Sequence, residues 1–451
     1  MSKELLPDFE NMHEWESYSK ELPVEYRQCY DEGKDIEQYK ELFNAVAKMP
    51  ESVFKAKAAD VLFELTRSLP YRKDFACCEP NSLDEIVKNT NGRHFALKTQ
   101  SDGQAADKVA GGWFGRICGC FLGKPVEGIM SEELQKALCA SHNYPLSRYI
   151  DREELPENLA NEITFPVLSR AYTKNFGKMP ADDDTNYILI AYEVLKRYGR
   201  RFTSENVAQV WLSMQTKDAY CTAERIAYRN FVNGYLPPNS AEYKNPYREW
   251  IGAQIRGDFY GYINPCNPSM AAEMAYRDAS ISHVKNGIYG EMWVAAMIAA
   301  AFGTDNVKDI IACGLSCIPC KSRLYAAVSR IVKNFENGTC EADCFKDIRT
   351  RWDEKDGYDW CHTISNAEIV TASLLYGEGD YERSICMAVE QGFDTDCNGA
   401  TVGSVLGVML GYKKLPENWT GRICDTLEST LFGYTAVSVK EMAKKTMKFV
   451  K

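Results

Sequence analysis

Apolar residues recur at three- and four-residue spacings through most of the chain, the period of helices that bury one face. The pattern predicts helices around Ala105–Phe121, Thr185–Tyr198, Ser269–His283, Glu291–Phe302, Ser322–Phe335, Ala367–Leu375, Ala400–Leu410 and Val439–Val450. Two earlier ones, Asp35–Met49 and Glu51–Leu69, are separated by Pro50 and Pro70, residues that interrupt a helix. Alternation with period two is scarce, and no strand–helix–strand rhythm or long repeat is evident. The expected class is all-α. The polar, glycine-containing run Asn89–Gln104 reads as a linker. It divides an N-terminal helical extension, residues 1–100, from a main domain, residues 101–451.

Two of these helices carry glycines where glycine is unfavourable. Gly111, Gly115, Gly119 and Gly123 are spaced by four, and so are Gly399, Gly403, Gly407 and Gly411. Each interior helical glycine costs about 1 kcal/mol relative to alanine. A spacing of four places them on one face, where a second backbone or a ligand can approach closely. Close helix packing is the simpler of the two readings.

Composition narrows the possibilities. Lys and Arg number 53 against 63 Asp and Glu, a formal charge of −10, which argues against a nucleic-acid or anionic-membrane surface as the main partner. The N-terminus is acidic and broken by Pro7, unlike a signal peptide, and the longest apolar run, Met292–Phe302, is too short to span a bilayer. A cytoplasmic location is therefore expected, with most of the 17 cysteines kept as buried thiols. The spacing Cys313-x-x-x-Cys317-x-x-Cys320 matches that of iron–sulfur radical enzymes. It lies among helical patterns, and in so cysteine-rich a chain it reads as accidental.

The chemistry concentrates in two acidic runs. Asp182-Asp183-Asp184-Thr185 heads a helix, where one or two acids would serve as caps but three repel one another and favour a nearby cation. Gly392-Phe393-Asp394-Thr395-Asp396-Cys397-Asn398-Gly399 resembles the start of a calcium loop, but Val405 stands where such a loop needs its glutamate. What remains is a pair of carboxylates, two residues apart, able to face one centre. Five carboxylates and Thr185 are hard oxygen donors suited to Mg²⁺, Mn²⁺ or Ca²⁺, and their number is compatible with two ions. His283, in the glycine-bracketed run Ser282–Gly290 expected to form a loop, and His362 are the histidines nearest these features; each alone is more simply structural.

Taken in order, these motifs resemble the ADP-ribosylglycohydrolase family. Gly119-Cys120-Phe121-Leu122-Gly123-Lys124-Pro125-Val126-Glu127 is similar to the family's Gly-Asp-x-x-Gly-x-Pro-x-Glu, and Asp182–Thr185 to its Ser/Thr-Asp-Asp-Thr. The Arg277–Ala300 stretch is similar to its histidine and glycine loop with an alanine-rich helix, and Gly392–Asn398 to its Gly-Gly-Asp-Thr-Asp-Thr. The resemblance implies a compact all-α fold with two Mg²⁺ or Mn²⁺ ions in a central cleft. It implies Asp182, Asp183, Asp184, Asp394 and Asp396 as metal ligands, with Cys397 beside them, and Glu127, Asp184 and Asp394 as catalytic residues. Gly119, Gly123, Lys124, His283, Gly287, Tyr289, Gly290 and His362 would border a pocket for an ADP-ribose-containing or ribosylated substrate. The implied reaction is hydrolysis of an N- or O-glycosidic bond; the alternative is a non-catalytic ADP-ribose-binding or crystallin-like structural member. Three positions depart from the family pattern. Asp182 replaces a hydroxyl residue, Cys120 an aspartate, and Cys397 a threonine.

Overall fold

The computed structural model describes residues 7–9, 11–162 and 177–451. Its helices follow the sequence periods closely where one face is strongly apolar. The expected helices at 105–121, 185–198 and 400–410 are observed as Asp102–Gly123, Asp183–Tyr198 and Thr395–Leu410. Each gains residues at its start, because the capping residues Ser101, Asp182 and Asp394 are polar and lie outside the apolar period. The short antiparallel strands Thr426–Glu428 and Ala436–Ser438 are the only strand pair among the described residues. The architecture is all-α.

The extension holds the helices Leu22–Asp31, Lys40–Ala47 and Val53–Ser68 around a small cluster of its own, which includes Leu22, Ile36, Phe43, Leu62 and Phe63. The run 91–100 has neither helix nor strand. Charged groups attach the extension to the rest of the molecule. Arg248 pairs with Glu25 at 2.8 Å and Glu32 at 2.6 Å, and Arg323 pairs with Glu79 and Glu249 at 2.8 Å each. The Gln28 amide donates to Glu249 at 2.6 Å. These carboxylates are nearly inaccessible to water, so removing one partner would leave a buried charge uncompensated, at a cost of about 3–5 kcal/mol.

The two glycine-striped helices lie against each other in opposite directions. Gly111 faces Gly407, Gly115 faces Gly403, Gly119 faces Gly399, and Gly123 faces Thr395. A Cβ added to any of these glycines would overlap the partner's backbone carbonyl. The Tyr381 hydroxyl donates to the Gly115 carbonyl at 2.8 Å and seals one side of the seam. Backbone contact on this scale offsets the poor helix propensity of glycine. Gly119 and Gly123, expected at the rim of a substrate pocket, are part of this seam. Around it pack Lys285–Ala301 and Thr363–Tyr376, buried along their whole lengths, as befits helices that are apolar on nearly every side.

One local expectation is corrected. The run Ser282–Gly290 is not a loop throughout. The preceding helix, Pro268–Ala279, ends before His283, and the next begins at Lys285, so Gly287 and Gly290 are helical. Both face crowded surroundings. A Cβ on Gly287 would meet the Arg248 carbonyl at 2.7 Å, and one on Gly290 would meet Thr363 Oγ1 at 2.6 Å. Close tertiary approach therefore explains these glycines, and helix continuity overrides their turn preference. All 17 cysteines are free thiols. No helix among the described residues is long and apolar enough to cross a membrane.

Candidate active site

The glycine seam decides where the chemistry gathers. Because its helices run in opposite directions, the end of Asp102–Gly123 meets the start of Thr395–Leu410. There the Thr395 hydroxyl donates to the Gly123 carbonyl at 2.9 Å. Lys124 and Glu127, just past the first helix, are thereby carried to Asp394 and Asp396 at the head of the second. Gly392 (φ +71°) and Phe393 (φ +56°) turn the chain into that head. Phe393 is held in the left-handed region, which costs a non-glycine residue about 1–2 kcal/mol. On the other side, Asp182 caps the Asp183–Tyr198 helix, its Oδ1 accepting the Asp184 N–H at 2.9 Å. Two helix N-termini thus bring their carboxylates to one place, where the helix dipoles favour negative charge.

Cations from the chain itself stand among these acids. Lys124 Nζ lies 2.9 Å from Glu127, 2.9 Å from Asp182 and 3.0 Å from Asp396. Arg116 donates to Asp184 Oδ1 at 2.8 Å and to the Asp184 carbonyl, and its other terminal nitrogen pairs with Asp258 at 3.0 Å. Thiols fill further positions. Cys120 donates to Asp182 Oδ1 at 3.4 Å, Cys397 to Asp184 Oδ2 at 3.2 Å, and Cys361 to Asp394 Oδ2 at 3.8 Å.

The electrostatics follow from crowding. Burial and the charge of Asp396 push the Glu127 carboxyl up to about 8, against the pull of Lys124. Burial and Asp182 push Asp183 up to about 7. Asp184 is raised by burial despite Arg116, and Asp394 by burial and by Asp396. Asp396 alone among these is lowered: burial would raise it, but the Lys124 ammonium prevails. Burial and the neighbouring aspartates raise the thiols of Cys120 and Cys397, so both are protonated at neutral pH. Glu127 and Asp183 therefore titrate near neutrality, and a cation bound beside them would displace their protons.

Two sets of side chains could hold a metal ion: Cys120, Asp182, Asp184 and Asp396, and Asp394, Asp396 and Cys397, each with donor atoms within 4.8 Å of one another. They differ in availability. Asp394 Oδ1 is buried and has no hydrogen-bond partner, so the second set offers an open donor and fits a cation. In the first set Lys124, Arg116 and the two thiols already contact the carboxylates, and Asp182 Oδ2, which makes no hydrogen bond, is paired with the Lys124 ammonium. Among the described residues Cys313, Cys317 and Cys320 do not form a group of this kind.

The other expected pocket residues have partners of their own. The Tyr289 hydroxyl donates to the Pro80 carbonyl at 2.5 Å, and the Lys285 N–H donates to Asn81, so the extension covers this turn. His283 is buried with Nδ1 2.8 Å from the Ser282 hydroxyl. His362 caps the Thr363–Tyr376 helix, accepting the Ile364 N–H at 3.1 Å, and stacks on Trp352. Burial holds its imidazole down to about 3, in the neutral form. Lys124 was expected to meet substrate; its ammonium is committed to three carboxylates.

Sequence reasoning missed Arg116, Cys221, Cys361 and Glu224. The charges of Asp183, Glu224 and Glu127, added to burial, raise Cys221, which places it beside the acids. Glu224 pairs with Arg256 at 2.9 Å, and burial raises it to about 7. Arg116 carried a readable signal: it is the one charged residue in the apolar stretch Gly111–Gly123. The cysteines and Glu224 carried none.

Comparison with known proteins identifies the family. The ADP-ribosylglycohydrolase family model matches residues 101–446. A search of curated proteins finds no match. Among solved structures, one described as an ADP-ribosylglycohydrolase-related protein complex is 17% identical, with 77% of this chain and 98% of that chain covered and a TM-score of 0.48. The family model spans well over half of the sequence and contains both aspartate runs and Glu127, and the chain belongs to the ADP-ribosylglycohydrolase family.

Proposed function

We propose that this acid centre hydrolyses the glycosidic bond joining the anomeric carbon of an ADP-ribosyl group to a nitrogen or oxygen acceptor. The observation that carries the reading is the convergence of Asp182–Asp184, Asp394–Asp396 and Glu127 at two helix N-termini, within a chain of this family. A bound divalent ion, Mg²⁺ or Mn²⁺, would supply charge for orienting ribose hydroxyls and acidifying water. Asp394 and Asp396 would hold it, with Cys397 beside them. Glu127 sits at the edge of the centre with its carboxyl near neutrality, which suits the transfer of a proton to the leaving group or from water. Lys124 orients Glu127 through its 2.9 Å contact. Arg116 holds Asp184 in place from beneath.

The test is release of free ADP-ribose from a panel of arginine-, serine- and nucleobase-linked substrates, with Mg²⁺ or Mn²⁺ supplied. Ion-dependent release from one linkage class is the expected result. Binding of ADP-ribose without release from any of them would overturn hydrolysis and favour a non-catalytic role.

A further inference from the structure

We infer that Lys124 is a built-in cation, its ammonium standing where a second divalent ion would otherwise bind, so that this centre takes one divalent ion per chain. The inference rests on the metal part of the reading above and adds its stoichiometry.

The argument is one of donor atoms. Each oxygen on the Cys120 side already has a partner. Asp182 Oδ1 accepts from the Asp184 N–H and Cys120, and Asp182 Oδ2 pairs with Lys124. Asp184 Oδ1 accepts from Arg116, and Asp184 Oδ2 from Cys397. Asp396 Oδ2 pairs with Lys124. A hard divalent ion needs oxygens at about 2.0–2.6 Å. It would have to draw Asp182 and Asp396 away from an ammonium that each already contacts, and it would be repelled by that ammonium.

Lys124 has little room to withdraw. Its side chain is 9% exposed, and its backbone is fixed between the glycine seam at Gly123 and Pro125. On the opposite side Asp394 Oδ1 is buried with no hydrogen-bond partner, whereas Asp182 Oδ2, which likewise has none, is held by the Lys124 ammonium; the first is the open cation position. Lys124 supplies positive charge beside Glu127, Asp182 and Asp396, and Arg116 beside Asp184, so the chain itself neutralises part of this acid cluster.

The experiment is titration of the metal-free full-length protein with Mn²⁺ alone, read by equilibrium dialysis and by electron paramagnetic resonance. The wild type is expected to bind one Mn²⁺ per chain and to give a mononuclear spectrum. Lys124→Ala and the similarly sized Lys124→Gln are expected to bind two, with the broadening of an exchange-coupled pair; Lys124→Arg, which keeps the charge, is expected to bind one. Two ions in the wild type would overturn the inference, as would none, or a single ion in both neutral variants. If both neutral variants fail to fold, the wild-type count decides it, since a lysine that yields to an ion gives two. No substrate enters the measurement, so failure of the hydrolysis reading and failure of this one are separately visible.

Discussion

Arg116 Nη2 lies 2.8 Å from Asp184 Oδ1, and both side chains are completely buried. The same guanidinium pairs with Asp258 at 3.0 Å, so one cation balances two carboxylates beneath the acid centre. The planar fork of arginine makes this double role possible, and lysine, a single point charge, cannot reproduce it. Arg116→Met is therefore expected to lower unfolding free energy by about 3–5 kcal/mol, because two buried charges lose their partner. Arg116→Lys should fall between the two. Denaturant midpoints measure the series; an unchanged midpoint in the methionine variant would show that the pair is not needed for the fold.

The glycine seam makes an opposite forecast from ordinary helix propensity. Alanine normally stabilises a helix by about 1 kcal/mol relative to glycine. At Gly115 or Gly403 the added methyl would press on the partner's carbonyl, which is backbone and cannot rotate aside. Gly115→Ala and Gly403→Ala are expected to destabilise by about 1–3 kcal/mol, the usual cost of overpacking. Gly103 lies in the same helix with nothing within 4 Å of its would-be Cβ, and Gly103→Ala should be neutral or slightly stabilising. Thermal melts of the three variants separate the two effects.

Raised carboxyls make stability depend on pH in a definite direction. Glu127 is pushed up to about 8 and Asp183 to about 7, chiefly by burial. Above pH 6.5 the unfolded chain has released these protons while the folded centre keeps them. Their contribution is therefore full below the unfolded values and is lost as pH rises through the folded ones. His362, lowered to about 3, acts only below its unfolded value near 6.5 and leaves this window undisturbed. Between pH 6.5 and 8 the metal-free protein should lose about 2 kcal/mol through Glu127 alone. Glu127→Gln should flatten that slope, and so should saturating Mn²⁺, which favours the deprotonated donors. A melting temperature that rises across this window would contradict the arrangement.

Substitution at the centre should separate chemistry from folding. Asp394→Asn removes a carboxylate whose Oδ1 makes no hydrogen bond, so it is expected to abolish Mn²⁺ binding and reduce turnover at least about 100-fold with little change in the helical spectrum. Glu127→Gln is expected to lower kcat more than it raises KM, by about 10²–10⁴-fold, the range of general acid–base contributions. Full activity in either variant would remove that residue from the proposed reaction.

Much of this was legible before any tertiary contact was known. Helical period, the two four-residue glycine stripes and the two aspartate runs all depend on neighbours within a turn or two, and local sequence sets them. The stripes pointed to a close approach, of a backbone or of a ligand, because each helical glycine costs stability unless such an approach offsets it. What only the folded molecule decided was partnership across distance. Lys124 meets Asp396 from 272 positions away, and Arg116 meets Asp184 from 68, and no local period encodes either pairing. The turn around Gly287–Gly290 was misjudged for the same reason: its glycines answer to Arg248 and Thr363, which arrive from other parts of the chain. Propensity and period arise from interactions along the backbone, whereas the charge balance of a buried site depends on which surfaces pack together. The sequence by itself determined which carboxylates were available; packing determined which cations were placed among them.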